Sequence, residues 1–555
     1  MKYIKKIMAV LACSALMITG MPVNAFAKTK MPDYIRVGLR SSCENKSVIN
    51  IQSKDIKLVR SDDGVSSPLL NEEVAEFQSS TGFTVKTGIS YQVVVPISAN
   101  SLDETKDEVQ YYKSQGYVNA VPGYNKNGWA VTIYGYSSIA DAKSDASKLN
   151  GTAVTPLQVT ILAQDGVPIL LITNSDAYFE GTGAVPTVDL GSYEYRGVME
   201  FMQSSDGLLT AVNILDFEQY LYGVVPAEIP ESYGYESIKA QACAARTYAL
   251  FKVNLDSTIG YDICDTTHCQ MYLGYTNECA TTTKAVDETK GMAIYYNGSP
   301  IEALFCSSSG GYTEDSINVW GSDVPYLKAV PDEYEINCQT WNRTITLSDL
   351  DAIIQANGYN IGSATGMRIT IDNKTSRVQK LDIIGTNGTK TITREDCRTI
   401  FGTAGTSLNS RCYTITNGVT ESGGGGTPTT TYPALGTFIS SPRSDFKMAD
   451  KSSYIIGSDC AVVYSTSSGT KAYGADGKEV DLTKIPELVS VATVTTTPSS
   501  TGTTVIRSSG STIQLSGRAI GHGLGMSQRG ANGLAQQGYD YIKILQHYYT
   551  GVTVE

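Results

Sequence analysis

One glutamate, one cysteine–histidine group and one glycine-rich turn carry the chemistry this sequence offers. Glu228 lies between Val225-Pro226 and Ile229-Pro230. The prolines predict an apolar turn there, and apolar surroundings disfavour a charged carboxylate. A carboxyl group that keeps its proton near neutral pH has the property a general acid needs. The helix expected just downstream works the other way, because the dipole at its N-terminus favours the anion. A plain helix-capping role for Glu228 is the alternative reading. Cys264, His268 and Cys269 fall within six residues. Thiolate and imidazole are the ligands a zinc ion (Zn2+) prefers. Three such ligands on one loop would leave a fourth place for water, His522 or another cysteine. A Cys264–Cys269 disulfide, or two plain thiols, is the competing reading of the same residues. Gln270 and Tyr272 follow this group and are expected along the same cleft. Ser307, Ser308, Ser309, Gly310 and Gly311 form a backbone-exposing turn whose amides and hydroxyls suit polar ligands, although such turns also arise for structural reasons. His522, between Gly521 and Gly523, has room around its ring. A Cys306–His522 nucleophile pair is conceivable, but nothing around Cys306 suggests activation. His547 is read as structural.

These groups need elements to hold them. Ile238, Ala242, Ala245 and Ala249 recur at helical spacing and predict a helix from Glu236 to about Lys252. Arg246 lies on it and is expected to face solvent or a cleft, where it would orient a carboxylate or contact substrate. Residues 156–214 read as strands with turns at Asp165-Gly166, Asn174-Ser175 and Asp206-Gly207. Residues 90–150 read as a small unit of their own: strand 91–95, helix 103–115, strands 117–121 and 128–134, helix 139–149. A short helix is expected over 347–356. Gly423 to Gly426, running into a Thr/Pro stretch, reads as a flexible linker over 421–431, and 432–515 as a Ser/Thr-rich β insertion. A glycine-rich turn and a Tyr-rich helix close the chain over 516–555. The fold class is α+β.

Composition narrows the function further. The 555 residues are 41% hydrophobic and 18% charged, enough apolar material for real cores, with a formal net charge of -12. An acidic chain repels nucleic acid and anionic membranes, so neither is an expected partner. Lys2, Lys5 and Lys6 precede an apolar run from Ile7 to about Gly20, and Ala25-Phe26-Ala27 fits a cleavage site. Residues 1–27 therefore read as a secretory signal, and the protein as secreted, extracellular or wall-associated. No later segment reaches the roughly 20 apolar residues that span a bilayer. Eleven cysteines, with Cys13 inside the leader, leave an even ten, too sparse for a disulfide scaffold in a chain this long.

The segment Tyr222-Gly-Val-Val-Pro-Ala-Glu-Ile-Pro230, running into Lys239-Ala-Gln-Ala-Cys-Ala-Ala-Arg-Thr-Tyr-Ala-Leu250, resembles the stage II sporulation protein D (SpoIID/LytB) family. Tyr195-Arg196-Gly197 with Val212-Asn213 and Tyr220-Leu221 resembles its strand lead-in. Ser307 to Gly311, Thr313-Glu314 and Pro325-Tyr326-Leu327 resemble its central motif. Gly521 to Ala531 with His547-Tyr548-Tyr549 resembles its C-terminal motif. The resemblance covers 35–40, 190–345 and 515–555, and splits the core into 28–89, 151–420 and 516–555. Residues 90–150 are similar to a SPOR module, which implies binding to glycan strands. The resemblance implies a peptidoglycan lytic transglycosylase with Glu228 as its acid. In such an enzyme the sugar's own 6-hydroxyl attacks, so one carboxyl group suffices. Arg246, Gln270, Tyr272, Ser307 to Gly311, His522 and Gln528 are then expected to contact peptidoglycan glycan strands. The LytB branch implies an alternative: a non-catalytic wall-binding protein that enhances a partner wall amidase. A third reading is a metal-dependent wall hydrolase built on Cys264, His268 and Cys269.

Overall fold

A computed structural model describes residues 30–421 and 502–555, apart from 62–70, 89, 157–158, 174–176, 254–258, 336–337 and 406, together with the backbone of four short strands between 453 and 480. The expected leader (1–27) and linker (421–431) lie almost wholly outside the described residues. The chain forms two units, 1–304 with 538–555, and 305–537. The division at 304/305 falls inside the stretch the sequence reads as one core over 151–420. The mixture of sheets and helices is α+β, as expected.

The first unit holds two large sheets. One has seven strands in the order Ile263–Cys264, Tyr34–Gly38, Leu209–Asp216, Val198–Gln203, Ala177–Gly181, Asp55–Ser61 and Asn71–Gln78. Leu209–Asp216 is almost wholly buried, so it reads as a near-continuous apolar run rather than an alternating one. It feeds straight into helix Phe217–Glu228, because the Asp216 side chain accepts the N–H groups of Glu218 and Gln219 and caps the first turn. The sequence predicts a turn over 225–230, and the structure corrects this: the helix runs through Pro226 to Glu228. Pro226 sits in the last turn, where it removes one backbone donor, and burial of Phe217, Tyr220, Leu221, Val224 and Val225 outweighs that loss. The stop comes from Pro230. The residue before a proline is driven to extended backbone, and Ile229 has φ -130° and ψ 134°. Helix Tyr235–Val253 follows and is buried from Ser237 to Leu250 except at Lys239. Its run of alanines lets neighbours pack close on every side, as a central helix requires.

The second sheet of this unit has eight strands: Val48–Ile51, Phe83–Thr87, Val159–Gln164, Val167–Thr173, Ala120–Asn125, Gly128–Tyr136, Tyr91–Pro96 and Thr152–Val154. The 90–150 unit has its expected order of elements, with helices Leu102–Ser114 and Ile139–Leu149. Its second strand starts at Ala120 rather than 117, because Tyr117 to Asn119 form the turn that ends the helix. Its sheet continues beyond it, since Val167–Thr173 pairs in parallel with Ala120–Asn125. Strands Phe83–Thr87 and Val159–Gln164 are themselves an antiparallel pair, with Thr87 opposite Thr160. The chain thus leaves and re-enters at one hairpin tip.

The second unit is built on a five-stranded sheet in the order Gly388–Thr393, Val378–Gly385, Ala364–Asp372, Thr503–Ser508 and Gly418–Glu421. A three-stranded sheet of Thr340–Thr346, Thr512–Arg518 and Tyr413–Ile415 and the helix Leu347–Ala356 complete it. That helix carries a reciprocal cap between Thr346 and Asp349. Glu421 lies opposite Val505, so this insertion, too, starts and ends at a hairpin tip. The unit's own strands resume at Thr503 rather than at 516.

Candidate functional site

Glu228 is the last residue of its helix and is half-buried. It occupies the C-terminal end of a dipole, not the N-terminal approach expected from sequence, so this dipole disfavours negative charge there. One oxygen, Oε1, accepts the backbone N–H of Met271 at 2.7 Å. Met271 follows directly on the Cys264–Cys269 loop, so the same short segment that carries the cysteine–histidine group also touches Glu228.

That segment starts from the sheet. Strand Ile263–Cys264 pairs in parallel with Tyr34–Gly38. Asp265, buried, accepts the Ser41 N–H at 3.0 Å and the Ser41 hydroxyl. Burial pushes the Asp265 carboxyl up, opposed by those hydrogen bonds. Cys264 Sγ lies 3.1 Å from Cys269 Sγ and 3.7 Å from His268 Nδ1, and Cys269 Sγ lies 3.5 Å from that nitrogen. The hydrogen bond between the two sulfurs holds Cys264 well below and Cys269 above the usual thiol range. Tetrahedral zinc bonds to sulfur and nitrogen imply about 3.6 Å between S and N and about 3.8 Å between two S atoms. The sulfur–nitrogen distances fit; the sulfurs must part by about 0.7 Å for zinc or close by about 1 Å for a disulfide. The three residues form a cluster able to hold a metal ion.

Three residues expected to contact substrate in this unit are buried instead. Arg246 is fully buried: its guanidinium bonds Glu218 at 2.8–3.0 Å and donates to the carbonyls of Val286 and Met292. It does orient a carboxylate, but that of Glu218, inside the core. Gln270 is 1% exposed and donates to the Tyr220 hydroxyl at 3.0 Å and the Ala245 carbonyl at 3.3 Å. Tyr272 is 2% exposed and donates to Asn213 Oδ1 at 2.7 Å. The physical reason is the same for all three: each finds internal partners for its donor groups, Gln270 through its Nε2 alone.

In the second unit the Ser307–Gly311 turn has an internal acceptor. Its donors converge on the chain's own Glu335. Ser308 Oγ donates to Oε1, and Ser309 Oγ, Gly310 N and Gly311 N lie 3.1, 2.6 and 3.1 Å from Oε2. Ser309 also donates to Asp332 at 2.6 Å. Gly310 and Gly311, at φ 77° and 101°, make the concave backbone that presents successive N–H groups to one oxygen. Arg377, buried, grips the other side of the turn through the Ser309 and Tyr312 carbonyls. Ser308, Ser309 and Gly310 are buried and their donors occupied, whereas Ser307 and Gly311 are half-buried. Gln528 is 6% exposed at the start of helix Gln528–Gln536. His522 is half-buried, and its Nδ1 accepts the Leu524 N–H at 3.0 Å. Burial, then Arg398, Arg377 and Arg411, push its imidazole down to about 4, so it is neutral at pH 7. Burial likewise pushes the Cys306 thiol up to about 12, against any thiolate role.

Glu218, Met271, Asp332 and Glu335 are absent from the sequence reading. A backbone N–H has no residue signature, and a glutamate's distant partner is set only by the fold. Among the described residues no helix is long and apolar enough to cross a membrane.

Comparison with known proteins agrees with the resemblance. Residues 205–296 match the SpoIID family model, described as a stage II sporulation protein. The amidase enhancer of Bacillus subtilis (strain 168) is 30% identical over 341 residues, 60% of this chain and 40% of that protein. Stage II sporulation protein D of the same organism is 33% identical over 153 residues, 25% of this chain and 45% of that protein. An uncharacterized protein of Brachyspira hyodysenteriae is 29% identical over 239 residues, 42% of this chain and 64% of its own length. The chain therefore spans less than two thirds of each of these relatives. The matched segment contains helix Phe217–Glu228, helix Tyr235–Val253 and the cysteine–histidine loop, and the chain carries, over residues 205–296, a region of the SpoIID family.

Proposed function

We propose that this protein is a secreted peptidoglycan lytic transglycosylase with Glu228 as its general acid and then its general base. The observation that carries the reading is a half-buried carboxyl group, inside the family-matched segment, at a helix C-terminus and oriented by one backbone N–H. In the first step the Glu228 carboxyl proton passes to the glycosidic oxygen as the bond from the sugar's C1 to that oxygen breaks. In the second, the Glu228 carboxylate takes the proton of the same sugar's 6-hydroxyl as that oxygen bonds to C1. The product is a 1,6-anhydro sugar, and no water is consumed. Cys264, His268 and Cys269 would hold zinc, which would order the loop ending at Met271; the transglycosylase step needs no metal-bound hydroxide. Residues 90–150, with their SPOR-like pattern, would add affinity for glycan strands.

Digestion of purified peptidoglycan, read by mass spectrometry for 1,6-anhydro-muropeptides, tests this. Glu228→Gln keeps the shape and removes the proton, and loss of a general acid costs about 100- to 10,000-fold. Cleavage at the wild-type rate by the Gln variant would remove Glu228 from the mechanism. The longer match to a protein named amidase enhancer favours a second reading, a non-catalytic partner of a wall amidase. That reading predicts no anhydro product and a faster amidase when the protein is added.

A further inference from the structure

We propose that Gln270 and Tyr272 are positioning residues: they fix the register of the loop over 264–272 so that the Met271 N–H holds the Glu228 carboxyl group. The inference rests on the transglycosylase reading for its kinetic readout, and on geometry for the rest. Along Cys269 to Tyr272 the chain alternates. Cys269 and Met271 are half-buried, whereas Gln270 and Tyr272 are 1% and 2% exposed. Both inward residues are anchored to elements that carry or flank Glu228. The Gln270 amide reaches Tyr220, on the Glu228 helix, and the Ala245 carbonyl, on the next helix. The Tyr272 ring lies against the Glu228 helix at Gly223, where an added Cβ would meet the ring at 2.7 Å. Its hydroxyl continues to Asn213, whose amide in turn bonds the carbonyls of Arg196 and Val198. Leu273 N–H closes the attachment on the Gly223 carbonyl at 3.3 Å.

A packing role alone would be filled more cheaply by apolar residues. Gln270 keeps its Oε1 buried without a partner, which an apolar residue would not have to do. What the polar pair adds is register. A slip of one residue would turn Met271 inward and carry its N–H away from Glu228.

Two variants test this: Tyr272→Phe, which keeps the ring, and Tyr220→Phe, which removes the acceptor for Gln270. Amide hydrogen exchange of full-length protein, read on peptides covering 266–275, should show the Met271 amide exchanging about 10-fold faster in each variant. On purified peptidoglycan kcat should fall about 10-fold with KM within twofold, as misplacement of a catalytic group predicts. In a Glu228→Gln background the same substitutions should cost no further activity, because the group being positioned is gone. Unchanged Met271 exchange overturns the proposal. So does activity that falls only in step with the folded fraction, or losses that add to those of Glu228→Gln. If the wild type makes no anhydro product yet the exchange result holds, the positioning of Glu228 stands and the transglycosylase reading falls.

Discussion

Glu218→Gln is the substitution that most directly separates a structural Arg246 from a substrate-binding one. Glu218 accepts Arg246 Nε at 3.0 Å on both oxygens, Arg246 Nη2 at 2.8 Å and Gly291 N at 3.0 Å. The Arg246 side chain is 0% exposed and that of Glu218 12%. Glutamine keeps the volume and one acceptor oxygen but leaves a buried guanidinium without its counter-charge. Breaking a buried pair costs about 3–5 kcal/mol; the retained acceptor puts this case near 3. For a unit of roughly 300 residues each kcal/mol moves the melting temperature by about 1.6 °C, so a fall of about 5 °C is expected by scanning calorimetry. Replacing both partners, as Glu218→Leu with Arg246→Met, should recover most of the loss, because no charge is then left buried. Well below its melting point, the Gln variant should bind sacculi as the wild type does. A variant that melts within 1 °C of wild type, or that keeps its stability and loses wall binding, would refute this reasoning and return Arg246 to the substrate.

Three further outcomes are expected. His522 is depressed to about 4 in the fold from 6.5, so unfolded chains bind the extra proton between those values; stability should be flat above pH 6.5 and fall by up to about 3 kcal/mol as pH drops to 4, and His522→Gln should flatten that slope in urea titrations at each pH. Protein purified without added metal should contain close to one zinc per chain, lost in Cys269→Ser and released as pH falls because thiolates must stay deprotonated; no zinc and a mass two units below the reduced chain would establish the disulfide instead. Glu335→Leu should lower stability by about 2–3 kcal/mol, since the Gly310 and Gly311 N–H groups that now share one oxygen would lose their acceptor; a melting curve unchanged from wild type would mean the turn does not depend on that carboxylate.

The helix over 235–253 was legible because a 3.6-residue period of small apolar residues has few other solutions, whereas the serine caps of the two 90–150 helices, Ser101 and Ser138, emerge only in the fold. The Glu228 helix was not. Pro226 and Pro230 signal a turn locally, while the burial that overrides Pro226 is tertiary. At the site, residue type identified the cluster of Cys264, His268 and Cys269 directly, since all three ligands come from one short loop. The burial of Arg246, Gln270 and Tyr272 was not legible, for a common reason. A polar residue near a motif looks like a ligand contact, and only the fold reveals that its partner is Glu218, Tyr220 or Asn213. The Ser307–Gly311 turn was recognised as a donor array, but its acceptor, Glu335, lies 24 residues beyond Gly311 and leaves no local signature.

The two paired strand ends, Thr87 with Thr160 and Glu421 with Val505, bear on how this chain tolerates change in length. Residues opposite each other in an antiparallel pair stand about 5 Å apart, and the sheets on either side hold them there. Whatever joins them therefore meets a boundary that is already closed. The entropic cost of a longer connection grows only as the logarithm of its length, about 0.6 kcal/mol per doubling. To the surrounding strands, a connection of some 70 or 80 residues is thus thermodynamically little different from a long turn. Segments can be exchanged, lengthened or lost at these two points while the residues around Glu228 and Glu335 keep their partners, which makes them the natural places to graft another module onto this scaffold.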